Sequence, residues 1–387
     1  MAAFNATGYQ SGTDTALAPS PGAVGGKGET PEVEGEYWTL QHCVDAYNAY
    51  LDSKRAEIEE QQVARRYRHA VQWTAEQIKT LNDRKQPIVT YNRLGRKIDG
   101  IVGLVEKLKQ DPKAFPRTPE HQEGADLATA VLRYVMDNNQ WKTINPIVAE
   151  MAAVDGYGGV MLDLKVSSQA QPQPGQPPDY DVMFEAVDND GYFYDPRSFK
   201  HDFADARYLG MGKWVDQEML IELMPESEDV IKASYNGGAD LTSNSDRDQR
   251  WYQDNGKFKQ VRLVEIWYKH KGGWCWAVFT RGAKLKEGQS PFIDNDGKQF
   301  CKFQMFSAQI DHDGDRYGFP RNLMSAQDEI NQRRSKGLHE LSNRRLRATR
   351  AAVADDDVEK IRREAARADG VILSNTSIDE IQFDDAA

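Results

Sequence analysis

A run of alternating apolar and polar residues, rich in aromatic and β-branched side chains, most constrains the fold of this 387-residue chain. It reads VRLVEIWYKHKGGWCWAVFTRG from Val261 to Gly282, with two strand-like segments on either side of KHKGG. Paired glycines between such segments are typical of a β-hairpin. Another strand pattern, GKQFCKFQMFSAQI, ends at Ile310. Because helical patterns lie before and after this β-rich part, the sequence predicts an α+β fold.

Apolar residues at helical spacing predict the helices. The predicted segments are residues 39–82 as one long helix or two, 94–110, 125–138 and 144–154, and a helix that begins near Pro320. Between them, residues 86–92 should be extended, and GYGGVMLDLKV and YDVMFEAV read as strands. The helix after residue 94 should stop at Asp111-Pro112, since the residue before a proline disfavours helical geometry.

The sequence predicts how one face of each of two helices packs. Gly100 and Gly103 lie inside a predicted helix, where each costs about 1 kcal/mol relative to alanine, which indicates close packing on that side. The helix over residues 125–138 should turn its apolar side chains inward; these are Leu127, Val131, Leu132 and Val135.

Charge and composition exclude several classes of protein. The net charge of −11 argues against a protein that wraps DNA tightly, so any basic site must be local, and an acidic body would let a duplex slide past. We find no apolar run long enough to span a membrane and no secretory signal, and we expect a cytoplasmic protein. Cys43, Cys275 and Cys301 are too far apart for a zinc or disulfide pattern and should be reduced, buried thiols.

Two segments have the composition of loops. Residues 1–36 consist of Gly, Ala, Ser, Thr and Pro with few large apolar side chains, which predicts a flexible N-terminal arm. Residues 167–179, SSQAQPQPGQPPD, form a proline-rich connection between two predicted strands.

The stretch DHDGDRYGFPRN resembles a calcium loop in part. Asp311, Asp313 and Asp315 occupy its first, third and fifth positions, but Arg316 replaces the required glycine at the sixth and Asn322 the glutamate at the twelfth. The sequence therefore predicts a polar turn with solvated aspartates and no metal or other cofactor, with the three carboxylates as the only metal candidates.

Basic residues are concentrated in and after the helix that begins at Pro320. They are Arg333, Arg334, Lys336, Arg344, Arg345, Arg347 and Arg350. Such a run is compatible with a solvated face, with ion pairs between subunits, or with contacts to phosphates. No aromatic residue is interleaved through it, which argues against stacking of single-stranded bases.

Known catalytic motifs are missing from the sequence. It contains no GK[ST] phosphate loop, no GxSxG elbow, no HExxH and no GxGxxG, and its seven histidines are scattered. We therefore predict a protein that is not an enzyme.

Three motifs occur in order along the chain. The first is QWTAEQIKTLNDRKQPIVTYNRLGRKIDGIVG, the second YFYDPRSFKHDFADARYLGMGKW with its DP…D…DAR element, and the third YGFPRNLMSAQDEINQRRSK. In this order they resemble the portal proteins of short-tailed, podovirus-type phages. The matching residues include Asn92, Asp195, Asp205, Gln327 and Asn331.

The resemblance implies a portal fold with a helical and β-rich wing, a helical stem, a small clip and C-terminal crown helices. It divides the chain into the arm 1–36, a wing 37–260, a β-rich region 261–318 as a possible clip, a basic stem or channel-side helix 319–352, and the start of a further wing segment 353–387. Portal proteins of this type are longer, so we expect the crown to be absent.

The same resemblance implies a function: a homo-oligomeric, usually dodecameric ring at one capsid vertex of the virion, assembled in the host cytoplasm. It would conduct double-stranded DNA during packaging and ejection, dock the terminase large subunit and later a tail adaptor protein, and contact capsid and scaffolding proteins, with no membrane involved. The basic residues above would then be candidates for channel, intersubunit or DNA contacts.

Two alternatives come from other classes. A metal-dependent nuclease or phosphoryl hydrolase would use Asp311, Asp313 and Asp315 to hold magnesium. A monomeric DNA-binding adaptor would use Arg344, Arg345 and Arg347, with an affinity that falls as salt rises.

Overall fold

The computed structural model describes residues 37–108, 111–166, 180–235, 251–254, 259–294, 297–342, 345–348, 357–365 and 381–384. The N-terminal arm and the proline-rich loop predicted above lie outside these residues. The chain divides into two compact units. The first comprises Met1–Arg65 and Lys97–Arg321, and the second Arg66–Arg96 and Asn322–Ala387.

Helices precede the first strand and also lie between later strands. They are α1 (Leu40–Ser53), α2 (Arg55–Arg68), α3 (Ala75–Asp83), α4 (Arg93–Lys107), α5 (Gln122–Asn138), α6 (Trp141–Asp155), α7 (Gln217–Leu223), α8 (Glu228–Tyr235), α9 (Pro320–Ser342) and α10 (Val358–Ala365). Thr74 caps α3 in a capping box with Gln77, each side chain bonding the other's backbone N–H. The helical content predicted for residues 39–82 is thus divided among three helices.

The strands form antiparallel sheets. They are β1 (Tyr157–Val166), β2 (Tyr180–Ala186), β3 (Tyr192–Tyr194), β4 (Tyr208–Asp216), β5 (Tyr252–Asp254), β6 (Lys259–His270), β7 (Gly273–Phe279), β8 (Lys284–Gln289), β9 (Phe303–Ser307), β10 (Gln309–Ile310), β11 (Arg316–Tyr317), β12 (Arg345–Ala348) and β13 (Ile381–Asp384). One sheet has the order β2-β1-β9, and a larger one the order β3-β4-β6-β7-β8, with β5 paired to β6.

The hairpin predicted from KHKGG is confirmed. Strands β6 and β7 pair from Val264–Phe279 to His270–Gly273, and Gly272 between them has a φ of 88°, a conformation that glycine adopts without strain. The mixture of helices and antiparallel strands confirms the α+β class. The strands of residues 261–318 share sheets with β1, β3 and β4, and whether this region forms a clip stays a prediction.

Aromatic side chains fill the core of the first unit. The ring of Tyr47 on α1 lies edge-on to Phe193 on β3 at 4.9 Å, and Tyr50 lies against Tyr194 at 5.2 Å. Tyr157 at the start of β1 is also fully buried. Because large rings supply much apolar area each, this core holds α1 against the sheets.

The three cysteines are buried free thiols, as predicted. Burial raises the pKa of Cys43 and of Cys275 to about 11, and that of Cys301 to about 12. They are therefore uncharged thiols at neutral pH and poor nucleophiles.

The predictions that the glycine face of α4 packs closely and that the apolar face of α5 points inward are both wrong for a single copy of the chain. A Cβ placed on Gly100 or Gly103 meets no atom within 4 Å, so nothing in the described chain packs closely there. Leu127, Val131 and Leu132 are 67%, 51% and 46% exposed. The amphipathic pattern identified an apolar face correctly, but no element of the described chain covers it.

The basic helix is shorter than predicted. Helix α9 begins at Pro320, as predicted, but ends at Ser342, whereas we expected it to continue to about residue 352. Residues Arg345–Ala348 instead form β12, which pairs with Ile381–Asp384 in an antiparallel register that sets Arg345 opposite Asp384. A long-range strand pairing, which periodicity cannot detect, replaces the last helical turns.

Candidate functional site

The aspartates of the calcium-like stretch close a tight turn between β10 and β11. One carboxylate oxygen of Asp311 accepts hydrogen bonds from the N–H groups of Asp313 at 3.0 Å and Asp315 at 2.8 Å. Its other oxygen accepts from Arg321 at 2.8 Å. Burial alone would raise the pKa of Asp311, but the bonds from Arg321 and the turn amides bring it below its ordinary value.

Two of the three aspartates are half-buried and bound to cations of the protein, whereas we predicted three solvated carboxylates. Besides the Arg321 contact, Asp315 accepts from the ammonium of Lys54 at 2.7 Å, and only Asp313 is strongly exposed. Over the described part of the chain, no three His, Cys, Asp or Glu side chains converge as metal ligands. Arg321 at Asp311 and Lys54 at Asp315 occupy the positions in which a metal ion would have to bind these two carboxylates.

Arg316, which replaces the glycine of a calcium loop, is buried in the first unit. Its guanidinium donates to the hydroxyl of Ser307 at 2.6 Å and to that of Ser198 at 3.1 Å. It also lies over the rings of Tyr194 and Phe203, at 4.3 Å and 4.0 Å from their centres. We call these residues the Arg316 cluster, and they join β11 to the loop after β3.

Glu57 of α2 completes the Arg316 cluster from the other side. Its carboxylate accepts from the Tyr194 hydroxyl at 2.6 Å and from the backbone N–H of Arg316 at 2.9 Å. Burial raises the pKa of Glu57 to about 7, although these hydrogen bonds and the charges of Lys54 and Arg316 oppose the increase. Sequence analysis missed both Glu57 and Arg316, because a charged residue in a polar segment carries no signal of burial.

The DP…DAR element of the second motif is a loop held by its own aspartates. Asp195 is buried and accepts from the guanidinium of Arg207, at 3.0 Å for one of the two bonds. Asp205 accepts from the Ser198 hydroxyl and the Phe199 N–H, both at 2.7 Å. Burial raises, and these bonds lower, the pKa of both carboxyl groups, with a net decrease. The motif residues therefore shape this loop, which presents Ser198 to Arg316.

The first and third motifs meet in the second unit through a buried polar stripe on α9. The stripe consists of Gln327, Asn331 and Ser335, each four residues apart and almost fully buried. The side chain of Asn331 accepts from the N–H of Tyr91 at 2.9 Å, and the Ser335 hydroxyl from that of Val89 at 3.1 Å. The extended segment before α4 is thus bound to α9 by side chains in place of a strand partner.

The same polar stripe organises the start of α4. The amide oxygen of Gln327 accepts from the N–H groups of Arg93 at 3.0 Å and Leu94 at 3.2 Å. Asn331 donates to Gln72 at 2.6 Å, and Gln72 donates to Asn92 at 3.0 Å. We call this set the Gln327 network. It satisfies backbone donors that a helix N-terminus leaves without intrahelical partners.

The basic residues predicted as a site differ in their surroundings. On α9, Arg333 forms an ion pair with Glu329, and Lys336 lies 3.7 Å from Glu340. The guanidinium of Arg334 instead lies over the ring of Tyr91, 5.9 Å from its centre.

The remaining basic candidates follow the helix. Arg344 and Arg350 lie outside the described residues, and the structure describes only the backbone of Arg345 and Arg347, in β12.

Comparison with known protein families identifies the chain. The family model of the phage P22-like portal protein matches residues 44–272 and 269–387. The chain belongs to the P22-like portal protein family. No protein of curated function is similar enough to count as a match.

Membership in the portal family confirms the resemblance to phage portal proteins and supports a phage portal role. Portal proteins are structural, non-enzymatic capsid components that assemble as oligomeric rings. In this portal protein, the three motifs correspond to internal hydrogen-bond networks. Among the helices in the described part of the chain, none is long and apolar enough to cross a membrane.

Proposed function

We propose that the chain is the subunit of a portal ring at one capsid vertex, through which double-stranded DNA passes during packaging and ejection. The match to the portal family over residues 44–387 carries this proposal. The ring would dock the terminase large subunit first and a tail adaptor protein later, and would contact scaffolding and capsid proteins during assembly. The chain would act by shape and charge, and ATP hydrolysis would belong to the motor.

The apolar face of α5 supports assembly with further copies. Leu127, Val131 and Tyr134 are 67%, 51% and 61% exposed and lie on one side of the helix. Large apolar side chains grouped in this way are typical of surfaces that bind another protein. In a ring, every copy would offer this face to a neighbour.

The nuclease alternative has no geometric support. Asp311 and Asp315 bind Arg321 and Lys54, respectively, and the described residues place no second carboxylate beside Asp313 that remains open to a metal. The DNA-binding adaptor alternative depends on arginines outside the described side chains, and no observation favours it.

Light scattering on a sizing column, followed by negative-stain imaging, tests the portal proposal. We expect particles whose mass is an integer multiple of the chain mass and that have a central hole. A protein that stays monomeric at every concentration and also fails to bind a terminase large subunit or a scaffolding protein would contradict it.

A further inference from the structure

Three arginines converge on one exposed tyrosine in the second unit. The guanidinium of Arg93 lies 5.3 Å from the centre of the Tyr91 ring, and that of Arg334 lies 5.9 Å from it. Arg96, one helical turn after Arg93, adds a third charge near the phenol. We call Tyr91, Arg93, Arg96 and Arg334 the arginine patch. All four side chains are exposed.

The arginine patch brings together residues from two distant segments. Sequence analysis found no aromatic residue within the basic run of α9, but the Gln327 network places Tyr91 against that helix. The hydrogen bond from Arg93, followed by the charges of Arg93, Arg96 and Arg334, lowers the pKa of Tyr91 below its ordinary value. The patch is therefore a local region of positive potential on a chain whose net charge is −11.

The charge of the patch is not neutralised by the residues that the structure describes. Considering the described residues alone, no carboxylate forms a salt bridge with Arg93, Arg96 or Arg334, whereas the neighbouring Arg333 is paired with Glu329. Arg93 and Arg96 also lie in the first turn of α4, which contains no acidic residue. Cations there oppose the helix dipole, so this arrangement costs stability unless an anion offsets it.

Side chains, and not the helix terminus itself, would bind that anion. The N–H groups of Arg93 and Leu94 donate to Gln327, and that of Gly95 donates to Asn92 at 2.9 Å. The backbone donors of the first turn are therefore already used, while the three guanidinium groups belong to exposed side chains. Planar guanidinium groups match the oxygens of phosphate esters well.

We propose that the arginine patch binds the phosphate backbone of double-stranded DNA. This choice of ligand rests on the proposed portal function, whereas the anion-binding character rests on the geometry. Tyr91 acts as a positioning residue, because its ring contacts two guanidinium groups and holds them close together. Backbone recognition of this kind is independent of base sequence, as a conduit for DNA requires.

Fluorescence anisotropy of a labelled blunt-ended duplex, titrated with the full chain at several salt concentrations, tests the patch. Arg93→Gln, Arg96→Gln and Arg334→Gln should each weaken binding severalfold and reduce the slope of log affinity against log salt by about 1, because each removes one phosphate contact. Arg333→Gln is the matched control: it changes the adjacent residue, which is already paired, and should leave the slope unchanged.

Three results would overturn the proposal. The first is an unchanged slope in all three variants, and the second is a loss of affinity in Arg333→Gln as large as that in Arg334→Gln. The third is displacement of the duplex by polyglutamate as effective as that by unlabelled DNA of equal charge, which would assign the patch to protein carboxylates. Sizing and imaging of the same variants separate this test from the test of the portal function. Rings that form but do not bind DNA through the patch would contradict only the present proposal.

Discussion

Single residues of the Arg316 cluster illustrate how a charged group can be accommodated in a core. Arg316 is 1% exposed, and its hydrogen bonds to Ser198 and Ser307, with two aromatic rings, replace part of its hydration, while Nη1 has no hydrogen-bond partner among the described residues. Burying a charge without such partners would cost several kcal/mol. The Glu57 carboxyl, in contrast, is held by neutral donors as well as nearby cations, and its pKa of about 7 reflects that compromise.

At the residue scale, Glu57 should make folding depend on pH. Its pKa is raised from 4.5 when unfolded to about 7 when folded, so the folded state holds a proton that the unfolded state has lost between these values. The free energy of unfolding should therefore fall as pH rises from about 4.5 to about 7, by roughly 3 kcal/mol, and stay level above that. Urea unfolding at several pH values measures this change in the free energy of unfolding.

The variant Glu57→Gln is the control for this prediction, because it removes the titrating group while keeping the side-chain shape. The difference between the two proteins isolates Glu57 from other titrating groups. A pH dependence that is the same in both proteins would show that Glu57 does not titrate in this range.

At the scale of elements, side-chain hydrogen bonds attach the extended segment before α4 to helix α9, in place of backbone pairing between strands. In the part of the chain that the structure describes, the segment before α4 pairs with no strand, and its N–H groups at Val89, Tyr91 and Arg93 donate to the polar stripe on α9. A buried donor that loses its acceptor costs about 1–3 kcal/mol. The Gln327 network is thus expected to determine whether this segment stays on α9.

Asn331→Leu should release that segment, because leucine cannot accept from the Tyr91 N–H or donate to Gln72. We expect a loss of about 3 kcal/mol in the free energy of unfolding and faster hydrogen exchange at the amide of Tyr91. Gln332→Leu, at the next and exposed position, should change either quantity little. Equal exchange rates in wild type and Asn331→Leu would contradict the proposed role of the network.

At the scale of the whole molecule, part of the apolar surface remains for other subunits. The exposed face of α5 contributes little to the stability of a single chain, since more than half of Leu127 and about half of Val131 remain in water. Association would bury it at a gain of about 25 cal/mol per Å². Helix α5 should therefore affect assembly more than folding.

Val131→Lys should reduce the oligomeric fraction in light scattering while changing the unfolding free energy of the monomer by no more than about 0.5 kcal/mol. Gln122→Lys adds the same charge at an exposed position about 180° around the helix from Val131, away from the apolar face, and should leave assembly intact. If both variants assemble like wild type, the α5 face is not a subunit contact.

Sequence patterns predicted the parts of this protein that depend on local chemistry. The glycines of KHKGG indicated the β6–β7 hairpin. Pro320 indicated the start of α9, because proline has no backbone N–H and the first position of a helix makes no intrahelical hydrogen bond with that group. The apolar face of α5 was also visible, although not its exposure. Three ordered motifs led to the portal family before any contact was known.

The tertiary structure alone decided what depends on residues far apart in the chain. In the structure, α9 ends at Ser342 and the residues after it form a strand pairing. Asp311 forms an ion pair with Arg321, Asp315 forms one with Lys54, and Arg316 is buried. The tertiary structure also placed Tyr91 among arginines that are remote in sequence. Periodicity and turn chemistry report on neighbours along the chain, whereas a carboxylate or guanidinium looks the same in sequence whether water or a distant partner satisfies it.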